Sequence, residues 1–422
     1  MVGKIISLYI LLFCYVFAFF IGPISVSLLM ALPMYGVAVL KKEYFKANIS
    51  VLQSRLIKDV LYSWFLLLLI GVIYPIVFLT FDFSFSIIVI TQLIHLMAAI
   101  PFLAFLKYNN YSRRDVEHCF VGIFVIQTII QIIVFSSPYL GEIILKFNHF
   151  DPEEVVGIGS NVRGKALSAA TTYHLSLAYG ICFIIYIKEF LSKKASIINV
   201  LIGFLIFVGI FFAGRTGFVG CIIGLLGYFL YRERKQRKLR LVLKVVLIIF
   251  LILTIISFLL MTYSPDLYDN VTKNVLPYAF EFLDNLDEKG SMETRSTNRL
   301  MEMWSSDFNP IELVIGSGNF TEANGSYYMH VDPGILRVSL FAGILGYFMV
   351  WLYQIKLFPV NKFKGRTKFY SFLILVYLAF MDLKGLTVGL NKFTFSITLL
   401  LSFVYLYLPD ISTIKYKDIT NN

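Results

Sequence analysis

The stretch DVLYSWFLLLLIGVIYPIVFLT, residues 59–80, opens on one aspartate and carries no further charge. At about 1.5 Å of rise per helical residue it reaches about 33 Å, enough to cross a hydrocarbon layer roughly 30 Å thick. Outward from it, apolar runs of similar kind recur along the whole chain, near residues 5–21, 23–40, 84–106, 116–135, 168–187, 196–213, 216–231, 241–263, 335–354, 369–383 and 392–408. Lipid offers backbone amides no partner outside their own segment, so these runs are expected to be helices. The strict alternation of a membrane β-barrel is missing. With 58% hydrophobic residues, 15% charged residues and a mean hydropathy of +0.77, a water-soluble core is excluded. The sequence therefore predicts an all-α, polytopic membrane protein of about 12 transmembrane helices, a single integral domain over residues 1–422. The first run passes straight into the second through Gly22-Pro23 with no small-residue cleavage site, and reads as a retained span.

Charge gives the expected orientation. With both termini placed in the cytoplasm, the cytoplasmic segments hold 26 of the 37 Lys and Arg residues, including the run RERKQRKLR at 232–240. Eighteen of the 26 acidic residues fall on the opposite side, so the net charge of +11 reflects topology and not a nucleic-acid partner. Cys14, Cys119, Cys182 and Cys221 all lie in or at the ends of apolar runs, which implies neither a disulfide framework nor a thiolate metal site. The five histidines have no metal-ligand spacing, and there is no nucleotide-binding glycine motif, so no metal and no cofactor are expected.

Two outer loops are long enough to carry a site, residues 136–167 and 264–334. In the second, Ser296 to Ser306 predicts an amphipathic helix with Leu300, Met303 and Trp304 on one face. Four groups of residues could carry chemistry. Arg215, between Gly214 and Gly217 in a short outer turn, suits an anion such as a diphosphate, or snorkels to headgroups. The glycines at 217, 220, 224 and 227 have the spacing of close helix packing. Arg163 and Lys165 stand just before an expected helix start, where anions bind well, or pair with Glu153 or Glu154. His330, Asp332 and Arg337 fall within eight residues at the end of the large loop. There His330 or Asp332 can take a proton from a hydroxyl and Arg337 can balance negative charge, while Asp332 before Pro333 also has the pattern of a helix cap. Asp382-Leu383-Lys384 reads as an internal ion pair.

With these residues in view, the chain resembles the O-antigen polymerases (Wzy) and the related O-antigen ligases (WaaL). The likeness rests on Gly214-Arg215-Thr216-Gly217; on Asn298-Arg299-Leu300-Met301-Glu302-Met303-Trp304 with Ile315-Gly316-Ser317-Gly318-Asn319-Phe320; and on His330-Val331-Asp332-Pro333-Gly334 with Arg337 and Gly343-Ile344-Leu345-Gly346. The resemblance implies a GT-C-like glycosyltransferase of the bacterial inner membrane, with residues 136–167 and 264–334 as periplasmic loops. Its donor and acceptor would be undecaprenyl-diphosphate-linked oligosaccharides, its surroundings membrane lipids, and a polysaccharide chain-length regulator (Wzz) a further partner. Arg215, Arg163, Arg337 and Arg299 are then candidate diphosphate contacts. His330 is the candidate base, with Asp332 as its partner or replacement. Two other functions stand beside polymerisation: transfer of finished polymer to lipid A core, and flipping of the same lipid-linked sugars. Against the last, the outer loops are long, repeated halves are absent and charges cluster at span boundaries.

Overall fold

A computed structural model describes residues 2–148, 166–169, 172–191, 196–231, 254, 257–258, 261–275, 281, 285–287 and 294–410. Among them the helices are α1 (Val2–Phe17), α2 (Val26–Leu40), α3 (Lys42–Leu52), α4 (Arg55–Val77), α5 (Ser84–Tyr108), α6 (Arg113–Ser136), α7 (Pro138–Leu145), α8 (Tyr173–Tyr186), α9 (Ile197–Ala213) and α10 (Gly217–Leu230). They continue with α11 (Pro265–Asn270), α12 (Arg295–Trp304), α13 (Pro310–Ile315), α14 (Gly334–Leu357), α15 (Gly365–Asp382) and α16 (Lys392–Tyr407). Among the described residues, strand is confined to the two-residue pieces Phe20–Ile21 and Ile24–Ser25.

The chain is helical and membrane-embedded. Four helices are long and apolar enough to cross a bilayer among the described residues: α4, α5, α6 and the segment Gly334–Lys362 that contains α14. Shorter apolar helices, Gly3–Phe17, Val26–Leu40, Ile197–Ala213, Gly217–Leu230 and Lys392–Tyr407, coincide with five more of the expected runs. α8 and α15 occupy two others, and the run at 241–263 lies almost wholly outside the described residues.

The chain divides into two compact units. The first comprises residues 1–18, 24–116 and 298–422; the second comprises 19–23 and 117–297. In the first unit α4 begins at Ser54, whose hydroxyl accepts from the Ile57 amide and so supplies one of the orphan donors of the first turn. α4 ends just past Pro75, and α5 packs beside it.

α14 is not one continuous helix, although residues 335–354 read as an uninterrupted span. Ala342 (φ −129°, ψ 18°) and Gly343 (φ 67°, ψ −174°) leave helical geometry. In the turn before this break the Leu340 carbonyl accepts from the Ser317 amide at 2.7 Å, and the Phe341 carbonyl from the Gly318 amide at 2.9 Å. The loop after α13 thus closes on the break. Asn309 caps α13 through the Ile311 amide at 3.0 Å, with Pro310 in the first turn. Contact is close enough that a Cβ at Gly316 would meet the Phe341 carbonyl oxygen at 2.6 Å.

In the second unit α8 packs on α9 and α10. A Cβ on Gly220 would lie 2.5 Å from the Gly180 Cα, so this pair sets how closely α8 and α10 approach. Gly217 is equally crowded, by Ile210 and Ser176, whereas Gly224 is in ordinary contact. Polar side chains inside this unit satisfy one another: the Tyr179 hydroxyl donates to Gln131 at 2.9 Å and lies 3.0 Å from the Thr128 hydroxyl. Lys188, buried, pairs with Glu117 and with Glu189.

Candidate functional site

The end of the large loop folds against α14 in the first unit. α12 forms where the amphipathic pattern predicts it. Its Met303 is buried with Val331, Leu336 and Leu340, while Phe308, Leu313 and Met329 pack around them. Trp304 departs from the expected face: it stays partly open at 38% exposure, and its indole donates to the Leu383 carbonyl at 3.2 Å.

A carboxylate from the α4–α5 connection holds the segment that follows the glycines. Asp82 Oδ2 accepts from the Phe320 and Thr321 amides, each at 2.6 Å, and Oδ1 accepts from the Ser84 amide at 3.0 Å. Thr80 adds a hydroxyl bond to the Gly318 carbonyl at 2.7 Å. Burial alone would raise the Asp82 carboxyl, but the donors from Ser84, Thr321 and Phe320 hold it below the usual carboxylate range. A folded-state value below the unfolded one means that this anchor contributes fully above the unfolded pKa and is lost as pH falls through the folded one. Proteolysis between residues 316 and 330 should therefore accelerate on acidification. Asp82→Asn should start at the accelerated rate and show a weaker dependence on pH over that range.

Beyond the anchor the chain turns back through an antiparallel bridge between Thr321 and Tyr327, and this return places two aromatic rings on Arg337. The guanidinium carbon lies 3.6 Å from the centre of the Tyr327 ring and 4.6 Å from that of Phe320. Phe320 is itself wedged edge-on against Phe85 and Phe341. Arg337 is 8% exposed, its Nε has no hydrogen-bond partner, and no carboxylate reaches ion-pair distance among the described residues. Asp332 acts on its charge from farther away. A buried guanidinium against two rings, with its Nε–H unpaired, is arranged to receive a planar or tetrahedral anion. Cation–π contact supplies part of its stabilisation, but an N–H left without an acceptor costs about 1–3 kcal/mol.

Beside it, Met329 (φ 53°) and His330 (φ 55°) are consecutive non-glycine residues in the left-handed region. Each costs of order 1–3 kcal/mol unless its surroundings impose it. Here the Glu322 carboxylate accepts from the Met329 amide at 2.9 Å, and the His330 amide donates to the Tyr327 carbonyl at 2.8 Å. The turn presents His330 to the exterior. Asp332 does not cap α14 as its pattern suggests. Pro333 occupies the cap position without a side-chain bond, and the half-buried Asp332 keeps its carboxylate out of that role. The acid packed at the start of α14 is instead Asp382, whose Oδ1 would lie 2.3 Å from a Cβ on Gly334. Asp382 accepts from the Tyr347 hydroxyl at 3.0 Å and from the Thr387 and Val388 amides at 2.9 and 3.1 Å. Its partners are thus a hydroxyl and two amides, which the Asp-Leu-Lys triplet does not announce.

The other expected contacts fall elsewhere. Arg215, in the second unit, is only partly exposed and forms an ion pair with Glu281 at 2.8 Å. The anion that the glycine-flanked arginine calls for is supplied by the large loop itself. Ser176 fixes the turn by accepting from the Gly217 amide at 2.7 Å. Arg299 is exposed on α12 and forms no ion pair among the described residues. Arg163 and Lys165 lie outside the described residues. The structure thus brings Arg337, Tyr327, Phe320 and Asp332 together, with His330 in the adjoining turn.

Tyr327, Asp82 and Glu281 are the residues that the sequence pattern did not single out. Only Tyr327 left a trace, as an aromatic beside the His-x-Asp group. Comparison of the chain with protein-family models, curated proteins and solved structures finds no match.

Proposed function

We propose that the chain is a membrane glycosyltransferase of the O-antigen polymerase kind, with about twelve spans and both termini in the cytoplasm. It joins undecaprenyl-diphosphate-linked oligosaccharide repeat units at the periplasmic face of the bacterial inner membrane. The observation that carries the reading is Arg337: buried, in contact with the Tyr327 and Phe320 rings, without an ion-pair partner among the described residues, and seven and five residues along the chain from His330 and Asp332. In the reaction an acceptor sugar hydroxyl attacks the anomeric carbon of the donor unit. A new C–O bond forms, the bond to the lipid diphosphate breaks, and its electron pair leaves with the diphosphate. Arg337 stabilises the charge that develops there, and the hydroxyl proton passes to His330, with Asp332 as its orienting partner or substitute.

Purified protein supplied with lipid-linked repeat units alone should yield a ladder of longer lipid-linked products. A chain that produces none without added lipid A core, and then transfers polymer to it, would be a ligase. A chain that only moves the lipid across vesicles would be a flippase.

A further inference from the structure

At the other end of the first unit α1, α2, α3 and α5 enclose an open crevice of about 350 Å³, within the roughly 300–1,000 Å³ range of small-molecule sites. Leu11, Val37 and Phe105 form its apolar wall, and Lys41, Tyr44 and Asn109 its polar end. Pro33 lies in the middle of α2 and also lines the crevice, and Tyr35 ties α2 to α5 through the Met97 carbonyl at 2.7 Å.

α3 borders this crevice through Tyr44. Along that short helix Phe45, Ile49 and Leu52 are exposed at i, i+4 and i+7, and helical spacing sets the exposed Lys42 and Lys46 along the edge of that stripe. An exposed apolar stripe beside lysines is the pattern of a helix lying in the headgroup layer. The polar end of the crevice therefore opens at the level of lipid phosphates, and its apolar wall runs toward the acyl chains.

The charges around the mouth differ in what they are doing. Lys46 pairs with Glu43 at 3.2 Å, Lys107 donates to the Ser50 hydroxyl at 2.6 Å, and Lys4 donates to the Asn109 carbonyl and covers the Tyr111 ring. Lys41 and Lys42 are exposed and form no ion pair among the described residues. Two unengaged cations at headgroup level above an apolar slot are complementary to one class of molecule.

We infer that this crevice binds one anionic glycerophospholipid, with an acyl chain between α1, α2 and α5 and the phosphate at Lys41 and Lys42. The inference is independent of the glycosyltransferase reading. The slot is too small for a helix of a second copy.

Delipidated protein incubated with equal amounts of phosphatidylglycerol and phosphatidylcholine of the same acyl chains, then analysed by native mass spectrometry, tests it. The protein should retain a single phosphatidylglycerol, preferred about 25-fold, at about fivefold for each lysine. Lys41→Glu with Lys42→Glu, both on the surface, should abolish the preference. Met34→Trp, which narrows the slot, should reduce retention of both lipids. Equal retention of the two lipids overturns the inference, as does a preference unchanged in the double variant. Displacement of phosphatidylglycerol by a polyisoprenyl phosphate, or a dimer in place of the lipid adduct, overturns it as well.

Discussion

Replacing Arg337 with alanine should lower the elongation rate at least about 100-fold, the loss typical when one preorganised donor to a developing charge is removed. The guanidinium is buried with its carbon 3.6 Å from the Tyr327 ring centre and 4.6 Å from that of Phe320, contacts that restrict its movement before any substrate arrives. Fixed orientation is what lets a donor act in the transition state without reorganising. Arg337→Lys separates charge from geometry. An ammonium keeps the positive charge and fills much of the volume, but it has no plane to stack and cannot grip two oxygens in parallel. It should insert and fold normally yet recover little of the lost rate, measured as ladder formation by purified protein. Wild-type elongation by the alanine protein would remove Arg337 from the site and with it the main support for the proposed chemistry.

The second large effect is on the fold. Gly343→Ala places a methyl group 2.3 Å from the Val314 carbonyl oxygen and 2.7 Å from the Ile315 carbonyl carbon, on backbone at φ 67°. Backbone at φ 67° and ψ −174° is a region essentially restricted to glycine and costs an L-residue about 1–3 kcal/mol, and overpacking against rigid main chain adds about 1–3 kcal/mol. The clash is with backbone, so no rotamer change relieves it. Gly365→Ala is the matched control. Its φ is 53°, but nothing lies within 4 Å of the added Cβ, so only the conformational cost applies. Thermal unfolding in detergent should show a clear drop for the first variant and a small one for the second. Equal drops would mean that close approach of the glycine loop does not matter.

The two variants divide what residues reveal in isolation from what they reveal only in contact. Apolar runs fixed where helices would form, because lipid leaves the backbone no alternative, and α4, α5 and α6 start and stop within a few residues of those runs. Amphipathic spacing announced α12, and the cluster around Met303 follows from it. The same reasoning took residues 335–354 for a straight helix. A helix break needs substitute hydrogen-bond donors, and those of Ser317 and Gly318 are supplied from a distant stretch of chain with no local signature. Glu281 escaped notice for a similar reason: one acid among many in an acidic loop, distinguished only by where Arg215 lies. Asp382 looked like half of an ion pair because Lys384 is two residues away, whereas its hydrogen bonds come from a tyrosine hydroxyl and turn amides. Position in sequence favoured the neighbour, and folding favoured the better-placed donor.

The contact between the glycine loop and the break in α14 also bears on how the protein can be dissected. Ser317 and Gly318 find their acceptors on Leu340 and Phe341, and Phe320 and Thr321 find theirs on Asp82. None of these acceptors lies between residues 264 and 334. A recombinant peptide of that loop, soluble by composition, would carry its donors into water and have nothing to close upon. The segment 317–321 is thus an inseparable extension of the helices around it, and any fragment meant to retain its shape must include α4, α5 and α14.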